Sequence, residues 1–563
     1  MTISWTNPGV TSAVGYAVYN STDNVNFNYV TQVASGVNSV VVNGLNPGTL
    51  YYFKVFGVTE GGLSSALTGS QSTNSAPVTG TKTIGTTGSN YTSITAAIAD
   101  AQTNGLSGSV IFELQNDYTT AGETFPITFS GIVTSAVNNL TIRPAAGVSS
   151  LAISPAATFL QTFVFNGASY ITIDGRPGGS GLTKALTIAN SAVSSTGTIF
   201  FQNDATHNLI EYCNLTGVPG VAGGAVIGFS TTTGTLGNSN NTIDNCNITD
   251  GGVGGIFNAI YSSGTVGKEN KLNLISNNNI SNFFTGSANF SAITLTTGNT
   301  DWTIQGNSFF ETIARADNQA KNVIYINNTG TNYIVRGNYI GGSAPLAGGT
   351  PWSDAGFNAA MGLNCIYISA PGSNDTVSNN TITNFSLSSA SNASGSMYAI
   401  NVSGGNVTVT NNTIGSSTAP IFISFTGSYG ITGFMGISAS ATISGNVSNN
   451  TILGLTYTGF SQVLGAISIS GTALIFTVNA NLIGSTGAAN NITSPTFIGL
   501  QNACSGTVNI SNNILANINS STIGIYNTGG TANITGNSIF NNSGTALTGI
   551  SHVTGTLAVN ISN

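Results

Sequence analysis

Three acidic residues, Asp174, Glu211 and Asp244, each follow an isoleucine in a phrase that recurs along the chain: Ile173-Asp174, Ile210-Glu211 and Ile243-Asp244. If the phrases stack, that position becomes an outward column of Arg143, Asp174, Glu211, Asp244, Ser276, Gln305, Arg336 and Ser378. Glu211 and Asp244 would then be neighbours ~5 Å apart, a separation at which two carboxylates serve as acid and nucleophile in a retaining glycosidase. Like charges that close also raise one of the two pKa values. The alternative is solvated surface charge or loose cation binding, because the adjoining Ser276 and Gln305 positions bring no Lys or Arg to hold an acidic sugar.

Two histidines and four cysteines complete the reactive inventory. His207, in Thr206-His207-Asn208, precedes one copy of the phrase and is placed at a corner of the chain, with catalysis as its other reading. His552 has no acidic residue near it in sequence. Cys213 and Cys246 fall at one position of successive copies, so their Cα atoms should be ~5 Å apart, within disulfide range. A disulfide and a stacked pair of buried thiols are both open. With Cys365 and Cys504 these make neither a disulfide framework nor a CxxC zinc site, and no metal or cofactor is expected.

The phrase that carries these residues is apolar-x-(Asn/Gly)-Asn-x-apolar. Clear copies are Ile304-Gln-Gly-Asn-Ser-Phe309, Val335-Arg-Gly-Asn-Tyr-Ile340, Val377-Ser-Asn-Asn-Thr-Ile382, Val409-Thr-Asn-Asn-Thr-Ile414, Val447-Ser-Asn-Asn-Thr-Ile452 and Ile534-Thr-Gly-Asn-Ser-Ile539. Degenerate copies begin at Ile142, Ile173, Ile210, Ile243, Ile275, Val478 and Ile510, mostly ~30 residues apart, which is one turn of a solenoid per copy. The two apolar positions are out of phase for a single strand unless the chain bends between them. Asn and Gly tolerate the left-handed backbone such a bend needs. Stacking then places Asn278, Asn307, Asn338, Asn380, Asn412, Asn450, Asn481, Asn513 and Asn537 above one another at ~4.8 Å, close enough for each amide to bond the next.

Each turn also offers alternating runs such as Val323-Ile-Tyr-Ile326, Ala399-Ile-Asn-Val402 and Ala466-Ile-Ser-Ile-Ser470, so three short strands per coil are expected, in about 14 coils. Longer intervals between Ile340 and Val377 and between Ile414 and Val447 mark loops leaving the stack. Near 92–103, Thr92-Ser-Ile-Thr-Ala-Ala-Ile-Ala-Asp-Ala-Gln-Thr103 predicts one helix, with hydroxyl caps at its start, Ile94, Ala97, Ile98 and Ala101 on one face and Gly105 beyond its end. It reads as a cap on the solenoid.

Composition narrows the function classes. Only 5% of the 563 residues are charged, against ~25% in ordinary soluble domains, while Gly reaches 72 and 40% of residues are hydrophobic. That apolar content disfavours disorder. From Thr376 to Asn563 there is no Asp, Glu, Lys or Arg, so acid-base catalysis, carboxylate metal sites and phosphate clamps are excluded from that third. A net charge of −7 and a pI near 4.6 argue against nucleic acid. Mean hydropathy is +0.21, yet no apolar run approaches the ~20 residues of a membrane span. Met1 is followed at once by the strand-like Thr2-Ile-Ser-Trp5, with no pattern of a signal peptide.

Residues 1–72 alternate like short antiparallel strands, and Leu45-Asn-Pro-Gly-Thr-Leu-Tyr51-Tyr-Phe-Lys-Val55, with Trp5 and Tyr16, resembles the fibronectin type III signature. By that resemblance Tyr51 is the tyrosine-corner residue whose hydroxyl bonds to backbone, Trp5 is core, and the module lacks its opening strand. A linker over 73–86 is expected. From 87 to 563 the cap helix, three-strand coils and Asn-bearing turn resemble the right-handed parallel β-helix of the pectate-lyase superfamily. The polygalacturonase-like paired Asp with a following His-Gly and Arg-x-Lys is missing, as is a lyase-type cluster of Arg, Lys and calcium-binding Asp.

The expected architecture is therefore all-β, a β-sandwich followed by a β-helix. The expected function is a secreted or cell-surface, bacterial, structural or adhesive protein, a stalk or fibre segment of a larger adhesin without enzymatic activity. Polysaccharide binding or cleavage is the alternative, and a trimeric phage tailspike-like protein the second. Expected partners are other copies of the chain, in fibres or a homo-oligomer, and glycans, without nucleic acid or membrane insertion.

Overall fold

The computed structural model describes residues 1–6, 12–73, 75–218, 220, 223–252, 255–284, 290–316, 320–356, 362–389, 396–425, 433–458, 463–487, 492–553 and 559–562. In the N-terminal part, strand Gly15–Ser21 lies antiparallel between Asn28–Ala34 and Leu50–Thr59, with Leu67–Ser72 on the far side of the latter. Thr2–Ser4 and Ser39–Val41 form the second sheet. Leu50–Thr59 alternates strictly, burying Tyr51, Phe53 and Val55 between lysine and aromatic neighbours that face outward. That period of two lets one strand supply a sandwich core that Trp5, Tyr16, Val18 and Val42 complete.

The expected linker is shorter than its composition suggests. Val78–Ile84 is a strand paired in parallel with Leu106–Leu114, and Val78 and Ile84 are buried in the core of the second part. Thr79, Gly80 and Thr81 occupy its exposed positions, while its two ends face the interior. Between these strands runs the cap helix, Ile94–Asn104, burying Ile94, Ala97, Ile98 and Ala101. Ser93 accepts a hydrogen bond from the Ala96 N–H, and Gly105 ends the helix at φ 75°. Glu123 completes the start: its carboxylate accepts from the Ile94 and Thr95 N–H groups at 2.7 and 2.9 Å, the side on which a helix favours negative charge.

From Leu106 onward the chain winds as a parallel β-helix. Gly197–Gln202, Leu209–Glu211 and Asn214–Gly217 form one coil, and the next repeats it in register, Ile199 beside Ile227, Ile210 beside Ile243 and Leu215 beside Ile248. Like residues stack on like inside: Phe129, Phe165, Phe201 and Phe229 have ring centroids 4.8, 4.8 and 4.6 Å apart, and Trp302 closes the stack edge-on at 5.0 Å.

The three-strand coil changes downstream. The first two strands of a coil merge into Gly362–Ser378, Ser396–Thr410 and Phe434–Ser448. Where the corner-to-corner interval lengthens, 42 residues from Asn338 to Asn380, the extra chain supplies a further strand. It appears as Trp352–Asp354 and continues as Phe385–Ser389, Ile421–Phe425 and Leu455–Thr458. Trp352, Phe385, Ile421 and Leu455 point inward and extend the core beneath the loops. The second predicted loop includes 426–432, and the final phrase ends at Asn563; both lie outside the described residues.

Candidate functional site

From Asn245 onward, the two residues at each corner divide two tasks between them. The first takes the left-handed conformation, as at Asn245, Asn277, Gly306, Gly337, Asn379, Asn411, Asn449, Ala480, Asn512 and Gly536, with φ between 51° and 65°. The second turns inward and builds the ladder. Asn307 Oδ1 accepts both the N–H and the Nδ2–H of Asn278, at 2.9 and 3.0 Å, and Asn278 Nδ2 also donates to the Ile243 carbonyl on the coil before. The same bonds run from Asn307 through Asn338, Asn380, Asn412, Asn450, Asn481 and Asn513 to Asn537. Backbone groups that a tight bend would orphan in the interior are thereby satisfied.

The column facing outward beside this corner forms as the spacing requires. Asp174 lies beside Glu211, Glu211 beside Asp244, Asp244 beside Ser276, and the row continues through Gln305 and Arg336 to Ser378. Arg143 pairs with Glu113 on the preceding coil at 3.0 Å.

Sequence reasoning missed the cation that governs this row. Arg176, from the bend directly after Asp174, donates Nε–H and Nη2–H to the two Asp174 oxygens, each at 2.9 Å, and Nη2 also reaches Glu211 Oε1 at 2.7 Å. Its guanidinium lies 4.2 Å from the Tyr212 ring centroid. The hydrogen bonds to Asp174 hold Arg176 above the ordinary arginine range. Burial and the nearby Asp174 charge push the Glu211 carboxyl up, while Arg176 pulls it down. The signal was present as Asp174-Gly175-Arg176, a spacing that lets the side chain fold back as a two-pronged fork.

Lys184, from the same excursion, donates to Asn247 Oδ1 at 2.8 Å, and burial lowers its pKa. Asn247 in turn donates to Asn214 at 2.8 Å and accepts from Asn279 at 3.0 Å. Asp244 takes three donors, Ser276 Oγ at 2.5 Å, Asn277 Nδ2 at 2.9 Å and Asn245 Nδ2 at 2.6 Å.

Two-carboxylate hydrolysis needs one acid holding a proton and one carboxylate free to attack or to activate water. Here Asp174 and Glu211 share one guanidinium, and Asp244 is engaged by amide and hydroxyl donors. The adjoining hollow, lined by Asn277, Gln305, Gly306, Arg336, Gly337 and Asn379, measures 240 Å³ and has no carboxylate in its lining. Ordinary ligand pockets start at roughly 300 Å³.

The remaining predicted residues are structural in their contacts. His207 occupies a corner at φ 57°, and its ring stacks on Tyr170 at 4.8 Å. His552 Nδ1 meets Asn527 Nδ2 at 3.0 Å. Cys213 and Cys246 are free, buried thiols in the ladder column. Each Sγ lies over a carbonyl, that of Glu211 at 3.2 Å and that of Asp244 at 3.3 Å. Trp5 is buried edge-on against Tyr16 at 5.7 Å. The Tyr51 hydroxyl accepts from the Asn46 N–H at 3.0 Å, closing the corner its resemblance implied.

A second inner ladder escaped notice. Asn241 Oδ1 accepts from the N–H and Nδ2–H of Asn208, and Asn273 Oδ1 does the same for Asn241. Its signal was an Asn two residues before the isoleucine of three successive copies.

The model of the fibronectin type III domain family matches residues 1–72. The first part is therefore a fibronectin type III module, and the strand register makes the second a parallel β-helix. No curated protein matches the chain. A solved structure similar to it is the family 28 exopolygalacturonase of Yersinia enterocolitica, at 12% identity over 100% of this chain and 96% of that one, with a TM-score of 0.33. A likeness of that size carries no argument about activity. Among the described residues no helix is long and apolar enough to cross a membrane.

Proposed function

We propose that this chain is a non-enzymatic structural and adhesive protein of the bacterial exterior, a rigid rod carrying a fibronectin type III module, and a segment of a larger surface adhesin or fibre. The observation that supports this best is the unbroken amide ladder from Asn278 to Asn537. It commits the repeated geometry of these corners to holding coils together, and the carboxylates upstream are engaged by Arg176, by amides and by a hydroxyl. Small-angle scattering and electron microscopy test the reading. A rod rising ~4.8 Å per coil, with no turnover of pectin, alginate or neutral glycans, is expected. Turnover abolished by Glu211→Gln or Asp244→Asn would replace this reading with a polysaccharide-cleaving one.

Glycan binding without cleavage is favoured by one further feature. Tyr325 and Tyr367 stack at 5.0 Å on adjoining coils, with Asn327 donating to the Tyr325 hydroxyl at 2.9 Å. Half-buried aromatic rings beside amides suit the apolar faces and hydroxyl rims of neutral sugars. Binding on a glycan array that Tyr367→Ala removes supports it, and an array without signal rejects it.

A further inference from the structure

Away from the acidic column, four charged side chains are buried together where the extra strand first joins the stack. Lys321 and Asp354 form an ion pair with both side chains 2% exposed. Glu311 and Arg315 form another, at 2.6 Å, with the glutamate fully enclosed. The surroundings are aromatic. Lys321 Nζ lies 5.5 Å from the Phe284 ring centroid, and Trp352 packs against Phe283 and Phe284 at 5.6 and 5.2 Å. Asp354 is held from several sides. Its strand is bonded to Arg315 through Arg315 N–H to the Ser353 carbonyl and Ala355 N–H to the Arg315 carbonyl, each at 2.8 Å. Its Oδ1 accepts the Gly356 N–H at 2.9 Å, while Oδ2 faces Lys321.

The geometry points to a covalent amide between Lys321 Nζ and Asp354 Cγ, an intramolecular cross-link between two coils of the β-helix. The chemistry follows from burial. Removing an ammonium and a carboxylate from water costs several kcal/mol per ion, and a proton passed from Nζ to Oδ2 within the contact gives amine beside carboxylic acid. That form is the reactive one. The Nζ lone pair attacks Cγ and forms the C–N bond. The Gly356 N–H stabilises charge gathering on Oδ1, as backbone donors do for tetrahedral intermediates. Oδ2 then leaves as water, carrying its own proton and one from Nζ.

Atoms and charge balance: amine plus acid gives amide plus water, with no oxidant or reductant. Fixed contact replaces a bimolecular encounter, and effective molarities of roughly 10⁵ M or more are within reach of such geometry. The product also removes one positive and one negative charge from an apolar site and leaves the Glu311–Arg315 pair intact. Glu311 feels the Lys321 charge, and burial lifts its pKa to about 7, so it can hold or release a proton beside the reacting pair.

The inference stands apart from the adhesive reading, since the cross-link forms or fails whatever the rod binds. It is tested on the full chain. Intact-mass spectrometry of the denatured protein is expected to give one water less than the sequence mass of 56.9 kDa. A chymotryptic digest is expected to contain a branched peptide joining Lys321 to Asp354, and Lys321→Met should return to its own full sequence mass. The full sequence mass in the unaltered protein, with Lys321 and Asp354 in separate linear peptides, overturns the proposal without requiring any variant to fold. A water loss that maps to another position overturns it equally.

Discussion

Asn450 Oδ1 accepts two hydrogen bonds from Asn412, the backbone N–H at 2.9 Å and Nδ2–H at 3.0 Å, while Asn450 Nδ2 donates to Val409 O and Asn481 Oδ1, each at 2.9 Å. One buried side chain thus meets the needs of three coils. No other residue type offers a two-site acceptor and two donors at that reach.

Asn450→Leu is therefore expected to cost about 3 kcal/mol or more, since each buried group left without a partner costs about 1–3 kcal/mol. Asn537→Leu, at a half-buried rung, should cost less because water can replace the amide. Urea titrations of the two variants check the ranking, and equal losses would contradict it.

The residue before each rung obeys a different rule. Asn449 sits at φ 57°, where glycine is at ease and a β-branched residue is strained by about 1–2 kcal/mol. Asn449→Gly should leave the unfolding midpoint near its original value, and Asn449→Val should lower it.

Removing Arg176 leaves two adjacent carboxylates without their shared cation. Arg176→Met is expected to lower the denaturation midpoint at pH 7 and to recover much of the loss near pH 4, where protonation of Glu211, whose carboxyl is pushed up by burial, relieves its repulsion with Asp174. A loss independent of pH would show that packing of the arginine stem against Tyr212 matters more than its charge.

Glu311 gives a pH dependence of defined sign. Burial raises its pKa from 4.5 to about 7, so the folded state binds more protons than the unfolded state between those values. Its contribution is full below pH 4.5 and is lost as pH rises toward 7. Glu311→Gln should flatten that part of the stability profile, read by chemical denaturation at half-unit steps.

All four cysteines are buried and unpaired. Thiol reagents should find none accessible in the native protein and four in denaturant, with or without prior reduction. Two thiols appearing only after reduction would restore the Cys213–Cys246 disulfide.

The coil repeat, cap helix, ladder and outward column could all be read from the chain because each depends on spacing along one axis. Ile173, Ile210 and Ile243 announce the register, and the register places Asp174, Glu211 and Asp244. What spacing does not carry is a side chain returning from a loop. Arg176 belongs to no repeated position, and its fold-back onto Asp174 depends on the bend between them. The Lys321–Asp354 pair was hidden for the same reason, since the strand bearing Asp354 occurs only where an insertion re-enters the stack. Val78–Ile84 failed differently: a strand with two buried ends and a polar middle carries too little apolar signal to separate it from linker.

The ladder also gives the rod a direction. Every rung accepts at Oδ1 from the coil nearer the N-terminus, so the side-chain carbonyls all point the same way along the axis. Aligned amide dipoles add head to tail, as they do in an α-helix, and neighbours in a hydrogen-bonded chain polarise one another. A segment without a single Asp, Glu, Lys or Arg from Thr376 onward thereby acquires electrical polarity, its N-terminal face slightly negative and its C-terminal face slightly positive. Two such segments meeting end to end would be distinguished, head from tail, by amides alone.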